Sequence, residues 1–370
     1  VNCFKIQDTS FNLTEGQLTE NFVVSSIPRG YSVRFETCNI GETVSSLLGE
    51  KDILLIDRNV LQLIEPKYLN FDRSRMFVVD ANEQSKNIEG ALSVVDFMFS
   101  CGFTKGETLV VVGGGITQDL GAFAGSIYKR GINWKFVPTT LLSQCDSCIG
   151  GKTGINYKKA KNQLALFSAP SEVIINTNFL RTLEDREIKS GLGEIMKIFI
   201  IGGRRFVELY GGLVSDNKVR DFEDFKKLIV SALHVKRIIV EEDEFEQDIR
   251  RSLNYGHTIG HAVESLAEYK IPHGQAVAIG MKIVNDLSGF SDPGIDRCID
   301  ELIGPAEREL LKNIDFSKIS SALKRDKKTV GDNATFVFIE ALGQIRFQKK
   351  KIDNELLARI QDSVVEIVNG

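Results

Sequence analysis

The sequence predicts an α/β domain built on a parallel sheet, followed by a mainly helical domain. Three observations predict it. The chain has 370 residues, too many for one small core and comfortable for two domains of ordinary size. Short apolar runs rich in β-branched residues recur through the first half. Past about residue 180 longer helical periods replace them, so the expected division is 1–180 and 181–370.

In chain order, the runs Ile53-Leu54-Leu55-Ile56, Met76-Phe77-Val78-Val79, Leu109-Val110-Val111-Val112, Lys135-Phe136-Val137 and Val173-Ile174-Ile175 read as buried parallel strands. Between the second and third, Ile88, Ala91, Leu92, Val95 and Phe99 recur at helical spacing, which makes a β-α-β unit. Phe225, Leu228, Ile229 and Ala232, and later Leu356, Leu357, Ile360, Val364 and Ile367, predict amphipathic helices. Residues 335–339 and 344–347, on either side of Gly343, predict a hairpin. The acidic stretch Glu241-Glu242-Asp243-Glu244 and the basic Lys349-Lys350-Lys351 read as solvated faces.

Composition narrows the function classes. Hydrophobic residues at 42%, charged residues at 26% and 7 Pro beside 32 Gly describe a foldable chain in which glycine marks specific turns. A formal charge of -4 lacks the basic excess that phosphate-backbone binding needs, which argues against nucleic acid as a partner. The longest apolar runs fall far below the roughly 20 residues of a membrane span. No secretory signal is recognised, and the six cysteines are expected as reduced thiols in a cytoplasmic protein. The first residue, Val1, is not Met, so a few lost or trimmed residues are expected.

Three segments suggest chemistry. The run Val112-Gly113-Gly114-Gly115-Ile116-Thr117-Gln118-Asp119 joins a strand to a helical pattern, a place where free backbone N–H groups hold a pyrophosphate; a plain tight turn remains open beside that reading. Between Thr139 and Asn162, Thr140, Asp146, Gly150-Gly151-Lys152-Thr153-Gly154 and Lys161 supply the backbone donors, ammonium groups and amide of an anion-binding loop. Cys145 and Cys148 lack a second C-x-x-C and are expected as small packed residues. Of four histidines, His257, His261 and His273 fall within 17 residues. His257 and His261 share a helix face at i and i+4, which leaves a shared metal and a packed helix contact both open; His234 is expected to be structural.

Together with Tyr128-Lys129-Arg130-Gly131, Pro138-Thr139-Thr140-Leu141-Leu142, Gly193-Glu194-Ile195-Met196-Lys197, the stretch from Arg250 to His261, and His273-Gly274, these segments resemble the 3-dehydroquinate synthase family and the wider sugar-phosphate cyclases. The resemblance covers most of the chain after about residue 50. It implies a Rossmann-like NAD-binding domain, a helical metal-binding domain and an active site in the cleft between them. Zinc, with cobalt as an alternative, is implied on Glu194, His257 and His273, with His261 on substrate phosphate. NAD contacts are implied for Asp57, Asn59, Glu83, Lys86, Gly114, Gly115, Asp119, Thr139, Thr140 and Lys161. Substrate contacts are implied for Asp146, Lys152, Asn162, Lys197, Lys236, Glu246, Arg250, Asn254 and His261. One of Lys327 and Lys328 is expected to join the phosphate site, and Arg130 to reach the phosphate of a neighbouring subunit, which implies a homodimer.

The implied reaction is that of a lyase in the shikimate pathway of aromatic amino acid biosynthesis. An alcohol is oxidised by NAD, phosphate leaves by β-elimination, the hydride returns, the ring opens and an aldol step closes a carbocycle. The substrate phosphate serves as its own base, so no protein base is obligatory. Gln118 stands where the typical member has Gly, Cys148 replaces a usual Ser, and the N-terminal segment is atypical. Arg250 and Asn254, which relatives acting on carboxylate-free sugar phosphates tend to replace, are both present. They favour 3-deoxy-D-arabino-heptulosonate 7-phosphate as substrate. A specialised cyclase acting on another sugar phosphate is the alternative, and a metal-dependent NAD polyol dehydrogenase a more distant one.

Overall fold

A computed structural model describes residues 2–369 apart from 28, 159, 217 and 326–328, with the side chains of 325, 329 and 330 also outside the description. Lys327 and Lys328 therefore lie outside the described residues. The chain divides into two compact units, one formed by Thr19–Leu183 and the other by Glu184–Gly370 together with Val1–Leu18.

The first unit is built on a seven-stranded sheet. Its order is Phe22–Val24, Tyr31–Glu36, Glu172–Asn176, Asn133–Pro138, Thr108–Gly113, Ile53–Asp57 and Met76–Val79. All neighbours are parallel except the first pair. Each of the five β-branched runs is a strand. Ile53 to Ile56 and Leu109 to Val112 are fully buried, as continuous apolar runs in a sheet covered on both faces must be. Met76–Val79 differs from the buried strand expected: it is the sheet edge, and only Val79 is buried.

The helix Ile88–Ser100 forms where its spacing predicts, but with a different inward face. Ala91, Val94 and Met98 are buried, whereas Leu92 and Phe99 are 44% and 74% exposed. Close packing explains the rotation. A Cβ at Gly90 would lie 2.1 Å from the Ser85 carbonyl oxygen and 3.3 Å from the Leu120 side chain, so the Gly90-Ala91 edge, the smallest part of the helix, turns inward.

The second unit carries the helices Asp185–Gly202, Asp224–Glu242, His257–Leu266, His273–Ser288 and Asn354–Asn369 among others. Phe225, Leu228, Ile229 and Ala232 are buried, as are Leu356, Ile360, Val364 and Ile367. The expected hairpin is present as Asn333–Ala341 and Gln344–Lys351. It belongs to a five-stranded sheet, because Asn2–Ile6 pairs parallel to Gln344–Lys351 and antiparallel to Thr9–Leu13. Phe4, Ile6, Phe11 and Leu13 face inward from these strands. The first 18 residues thus belong with the helical unit and not with the sheet of the first, since their backbone completes one sheet and their alternating apolar residues are buried on it. Among the described residues, no helix is long and apolar enough to cross a membrane.

Candidate active site

In the first unit, strand Thr108–Gly113 ends at Gly114, which caps the helix Gly115–Ile127. Thr139 anchors the turn by donating its N–H to the Gly113 carbonyl at 3.0 Å. A Cβ on Gly114 would meet Thr140 Cγ2 at 3.0 Å, while nothing lies within 4 Å of a Cβ on Gly115. Open space at a helix N-terminus suits an anion, because the first-turn N–H groups have no partner inside the helix. Asp57 ends its strand and caps the helix Arg58–Leu63 by accepting the Asn59 N–H at 2.8 Å. Burial pushes the Asp57 carboxyl up, against the lowering effect of that N–H.

Below the glycine turn the structure gathers Lys86, Asp119 and Asn162. Lys86 is buried, and its Nζ lies 2.6 Å from Asp119 Oδ2 and donates to Asn162 Oδ1 at 2.8 Å. Asp119 Oδ1 also accepts from Thr153 Oγ1 at 2.9 Å and from the Gly154 N–H at 3.0 Å. Asn156 joins two of these segments. Its Nδ2 donates to Glu83 Oε1 at 2.7 Å and its Oδ1 accepts the Asn162 N–H at 3.0 Å. Lys161 Nζ is 3.7 Å from Glu83 Oε2. The segment expected as one anion-binding loop is instead a π-helical turn, Ser143–Ser147, followed by the hairpin Lys152–Tyr157 and Ala160–Phe167. The hairpin register breaks between Ala160 and Leu164, within which Asn162 sits at φ 52°. Asp146 is on the turn, and Lys152 is exposed on the hairpin. Cys145 and Cys148 are buried thiols at this turn, outside any disulfide.

In the second unit, three helices approach through glycine. A Cβ on Gly193 would lie 2.5 Å from the Gly274 carbonyl oxygen, and one on Gly274 would lie 1.9 Å from that of Ser190. Gly256, at φ 75°, meets the helix His273–Ser288 as closely: its Cβ would be 2.6 Å from the Val277 carbonyl oxygen. Only glycine fits there, and the resulting contact brings Glu194, His257, His261 and His273 together.

Glu194 is 1% exposed. One of its oxygens, Oε2, takes the Lys197 ammonium. The other, Oε1, accepts no hydrogen bond, although His273 Nε2 and His257 Nε2 face it at 3.3 and 3.7 Å. Both rings are held from behind: His257 Nδ1 is 3.1 Å from the Tyr255 carbonyl oxygen, and His273 Nδ1 is 3.1 Å from Glu264 Oε2. Burial pushes the His273 imidazole down, but the Glu264 and Glu194 carboxylates outweigh it and push it up to about 10. His261 completes the cluster, with its ring centroid 5.3 Å from that of His257 and 5.9 Å from that of His273. Ligand atoms of the three histidines lie within 4.8 Å of one another.

The other expected contacts spread around this helical unit. Lys236 is buried on Asp224–Glu242. Arg250 is 1% exposed, and its guanidinium donates to the Glu244 carbonyl oxygen. Glu246, at φ 57°, accepts from Asn254 Nδ2 at 2.6 Å. The acidic stretch is more than a solvated face. The Asp243 carboxylate accepts the backbone N–H groups of Gln247, Asp248 and Arg250 at 2.8, 2.8 and 3.0 Å and so fixes the segment that presents Arg250. Glu264 and Asp243 had no signal in the spacing, because each acts only through a neighbour that folding supplies. His234 is fully buried on its helix.

Known proteins resemble this chain along most of its length. Residues 76–190 match the family model of the 3-dehydroquinate synthase N-terminal region, and residues 191–329 that of its C-terminal region. A 3-dehydroquinate synthase of Streptococcus equi subsp. equi (strain 4047) is 33% identical over 354 residues, which are 92% of this chain and 97% of the relative. That of Lactococcus lactis subsp. cremoris (strain MG1363) is 36% identical over 330 residues, 84% and 90% of the two chains. Among solved structures, 2-epi-5-epi-valiolone synthase from Streptomyces hygroscopicus subsp. jinggangensis 5008, with NAD+ and Zn2+ bound, has a TM-score of 0.80 at 22% identity and covers 94% of this chain and 99% of its own. The fold is thus that of a sugar-phosphate cyclase, and with both halves matched in order and a third of the residues shared over nearly the whole length, the chain belongs to the 3-dehydroquinate synthase family.

Proposed function

We propose that the protein acts as a 3-dehydroquinate synthase, a lyase that converts 3-deoxy-D-arabino-heptulosonate 7-phosphate to 3-dehydroquinate and phosphate with one divalent ion, zinc or cobalt, and catalytic NAD+. The observation that carries the reading is Glu194 Oε1, a buried carboxylate oxygen without a hydrogen bond, faced by two imidazole Nε2 atoms. Once the proton that His273 carries in the metal-free protein is displaced, this oxygen keeps no donor, and a divalent cation between the carboxylate and the two imidazoles takes the proton's place. Glu194, His257 and His273 would hold the ion, a donor set that leaves positions open for substrate oxygens. The family resemblance is what assigns His261 to substrate phosphate, although its ring stands beside those of His257 and His273. When bound, NAD+ supplies a hydride acceptor that is restored within each turnover, and the ion polarises the alcohol being oxidised.

The chain's own residues bind and orient. The amides at Gly114 and Gly115 receive the pyrophosphate of NAD+, with Thr139 and Thr140 framing the turn. Asp57 and Asn59 border the next strand end, and Glu83, Lys86, Asp119 and Lys161 form the network beside it. Lys152, Asn162, Lys197, Lys236 and His261 supply donors for phosphate and hydroxyl oxygens, with Asp146 and Glu246 accepting from hydroxyls. Arg250 and Asn254 hold the substrate carboxylate, Arg250 through a planar fork that lysine does not reproduce. The Tyr255 carbonyl and Glu264 fix the tautomers of His257 and His273 so that both Nε2 atoms present lone pairs.

The reading includes a cytoplasmic homodimer of the shikimate pathway, in which Arg130 reaches substrate phosphate of the neighbouring subunit. The exposure of Arg130 at φ 63° supports that reach, and sedimentation should give twice the monomer mass. Glu194→Ala and His273→Ala should abolish turnover while the fold persists. Zinc retained at full affinity by either variant would overturn the ligand assignment.

A further inference from the structure

Gln118 is a polar side chain on the helix Gly115–Ile127, one residue before Asp119, and it is only 5% exposed. Both ends of its amide are spent on one residue. Nε2 donates to the Ser147 carbonyl oxygen at 2.8 Å, and Oε1 accepts from Ser147 Oγ at 2.6 Å. Two bonds to one partner fix the amide's orientation as well as its position. Ser147 closes the π-helical turn Ser143–Ser147, immediately after Asp146. The start of the turn is anchored separately: Gln144 Nε2 donates to the carbonyl oxygens of Pro138 and Asn176, both at 3.0 Å, and Ser143 Oγ is 2.9 Å from Thr140 Oγ1. After the turn the chain bends away at Gly150 and Gly151, with φ 96° and 63°. The interrupted helix therefore brings Ser147 no following helical N–H, and Gln118 supplies the donor instead.

We propose that Gln118 is a positioning residue that clamps the end of this turn and so sets where Asp146 meets substrate, tying it to the same helix whose N-terminus receives the cofactor. The proposal rests on the functional reading above for the role of Asp146. It assigns a use to the residue that stands where glycine is typical: with glycine at 118 the clamp has no side chain, and the turn must be held by other means.

The test uses the full-length zinc-loaded enzyme, with Gln118→Ala, Ser147→Ala, the double variant and Gln118→Glu. Wild type is first shown to release phosphate from 3-deoxy-D-arabino-heptulosonate 7-phosphate; an inactive wild type overturns the functional reading and this proposal with it. With wild type active, Gln118→Ala should lower kcat by at least about tenfold, the size of effect that misplacing a reacting group produces, with NAD+ affinity within about twofold of wild type. The double variant should be no slower than the worse single variant, because both remove one clamp. Gln118→Glu keeps the acceptor for Ser147 Oγ and donates to the Ser147 carbonyl only when protonated, so its rate relative to wild type should climb as the pH falls. Should Gln118→Ala fail to fold, Ser147→Ala and the pH profile of Gln118→Glu carry the test. A kcat within twofold of wild type in the folded variants, additive losses in the double variant, or a Gln118→Glu profile parallel to wild type would overturn the proposal.

Discussion

Replacing Glu264 by alanine should loosen the metal site without touching a metal ligand. In the structure Glu264 is 4% exposed and its Oε2 is 3.1 Å from His273 Nδ1. This contact holds the ring with Nε2 toward Glu194 Oε1, 3.3 Å away. Hydrogen bonds to charged groups contribute about 1.5–3 kcal/mol when buried. Independently, losing the partner that orients a metal-bound histidine costs about 10–100-fold in metal affinity, or about 1.4–2.7 kcal/mol. The two estimates agree, so Glu264→Ala should weaken zinc binding by about 10–100-fold. Glu264→Gln, which keeps an acceptor for Nδ1–H and loses the charge, should fall below about tenfold. The assay is competition for zinc against a chromophoric chelator at fixed pH, with circular dichroism to confirm the fold. If Glu264→Ala binds zinc within about twofold of wild type while His273→Ala does not bind it, the orienting role is refuted.

Three further outcomes follow from the same geometry. His273, pushed up to about 10 by Glu264 and Glu194 against burial, carries a proton at neutral pH in the metal-free protein. Zinc uptake should therefore release about one proton, and affinity should rise with pH until that proton is gone; a calorimetric enthalpy independent of the buffer's ionisation heat would contradict it. Lys86→Met removes one partner of a buried pair, a change that costs about 3–5 kcal/mol. Since Asp119 keeps the Thr153 hydroxyl and the Gly154 N–H, the lower end applies, about 3 kcal/mol, and the first unit's Tm should drop by about 6–12 °C; a shift below about 2 °C by calorimetry would show the pair contributes little. Arg250→Lys should lower kcat/KM for the heptulosonate phosphate at least about tenfold while zinc content and NAD+ affinity stay near wild type, and a silent variant would remove Arg250 from carboxylate recognition.

What the sequence revealed and what it withheld differ by the range of the interaction. Parallel strands covered on both faces need continuous apolar residues, so Ile53 to Ile56 and Leu109 to Val112 announce themselves locally. Phe22–Val24 and Tyr31–Glu36 do not, because they lie at one margin of the sheet and Tyr31–Glu36 finds its parallel neighbour far along the chain, at Glu172–Asn176. The N-terminal strands were hidden for the same reason, their partner being Gln344–Lys351. At the site, His257, His261 and His273 stand out by clustering, whereas no spacing ties Glu194 to them; only the family resemblance did. Glu264, Asp243 and Asn156 act through a ring, a backbone segment and a hairpin that folding brings to them, and Gln118 stands out in the sequence only as a departure, because its partner Ser147 is 29 residues away. Leu92 and Phe99 mislead because periodicity marks a stripe without saying how close the neighbouring helix comes, and Gly90 settles that.

The central claim is a cyclisation in which NAD+ is returned unchanged, and one measurement tests it directly. Purified zinc-loaded protein is given 3-deoxy-D-arabino-heptulosonate 7-phosphate with NAD+ far below the substrate concentration, while phosphate, the carbocyclic product and absorbance from NADH are followed together. The account predicts many turnovers per NAD+, one 3-dehydroquinate for each phosphate released, and no net NADH. NADH accumulating in step with substrate consumed would mark a polyol dehydrogenase, and faster turnover of a carboxylate-free sugar phosphate would replace the dehydroquinate reading with that of a specialised cyclase.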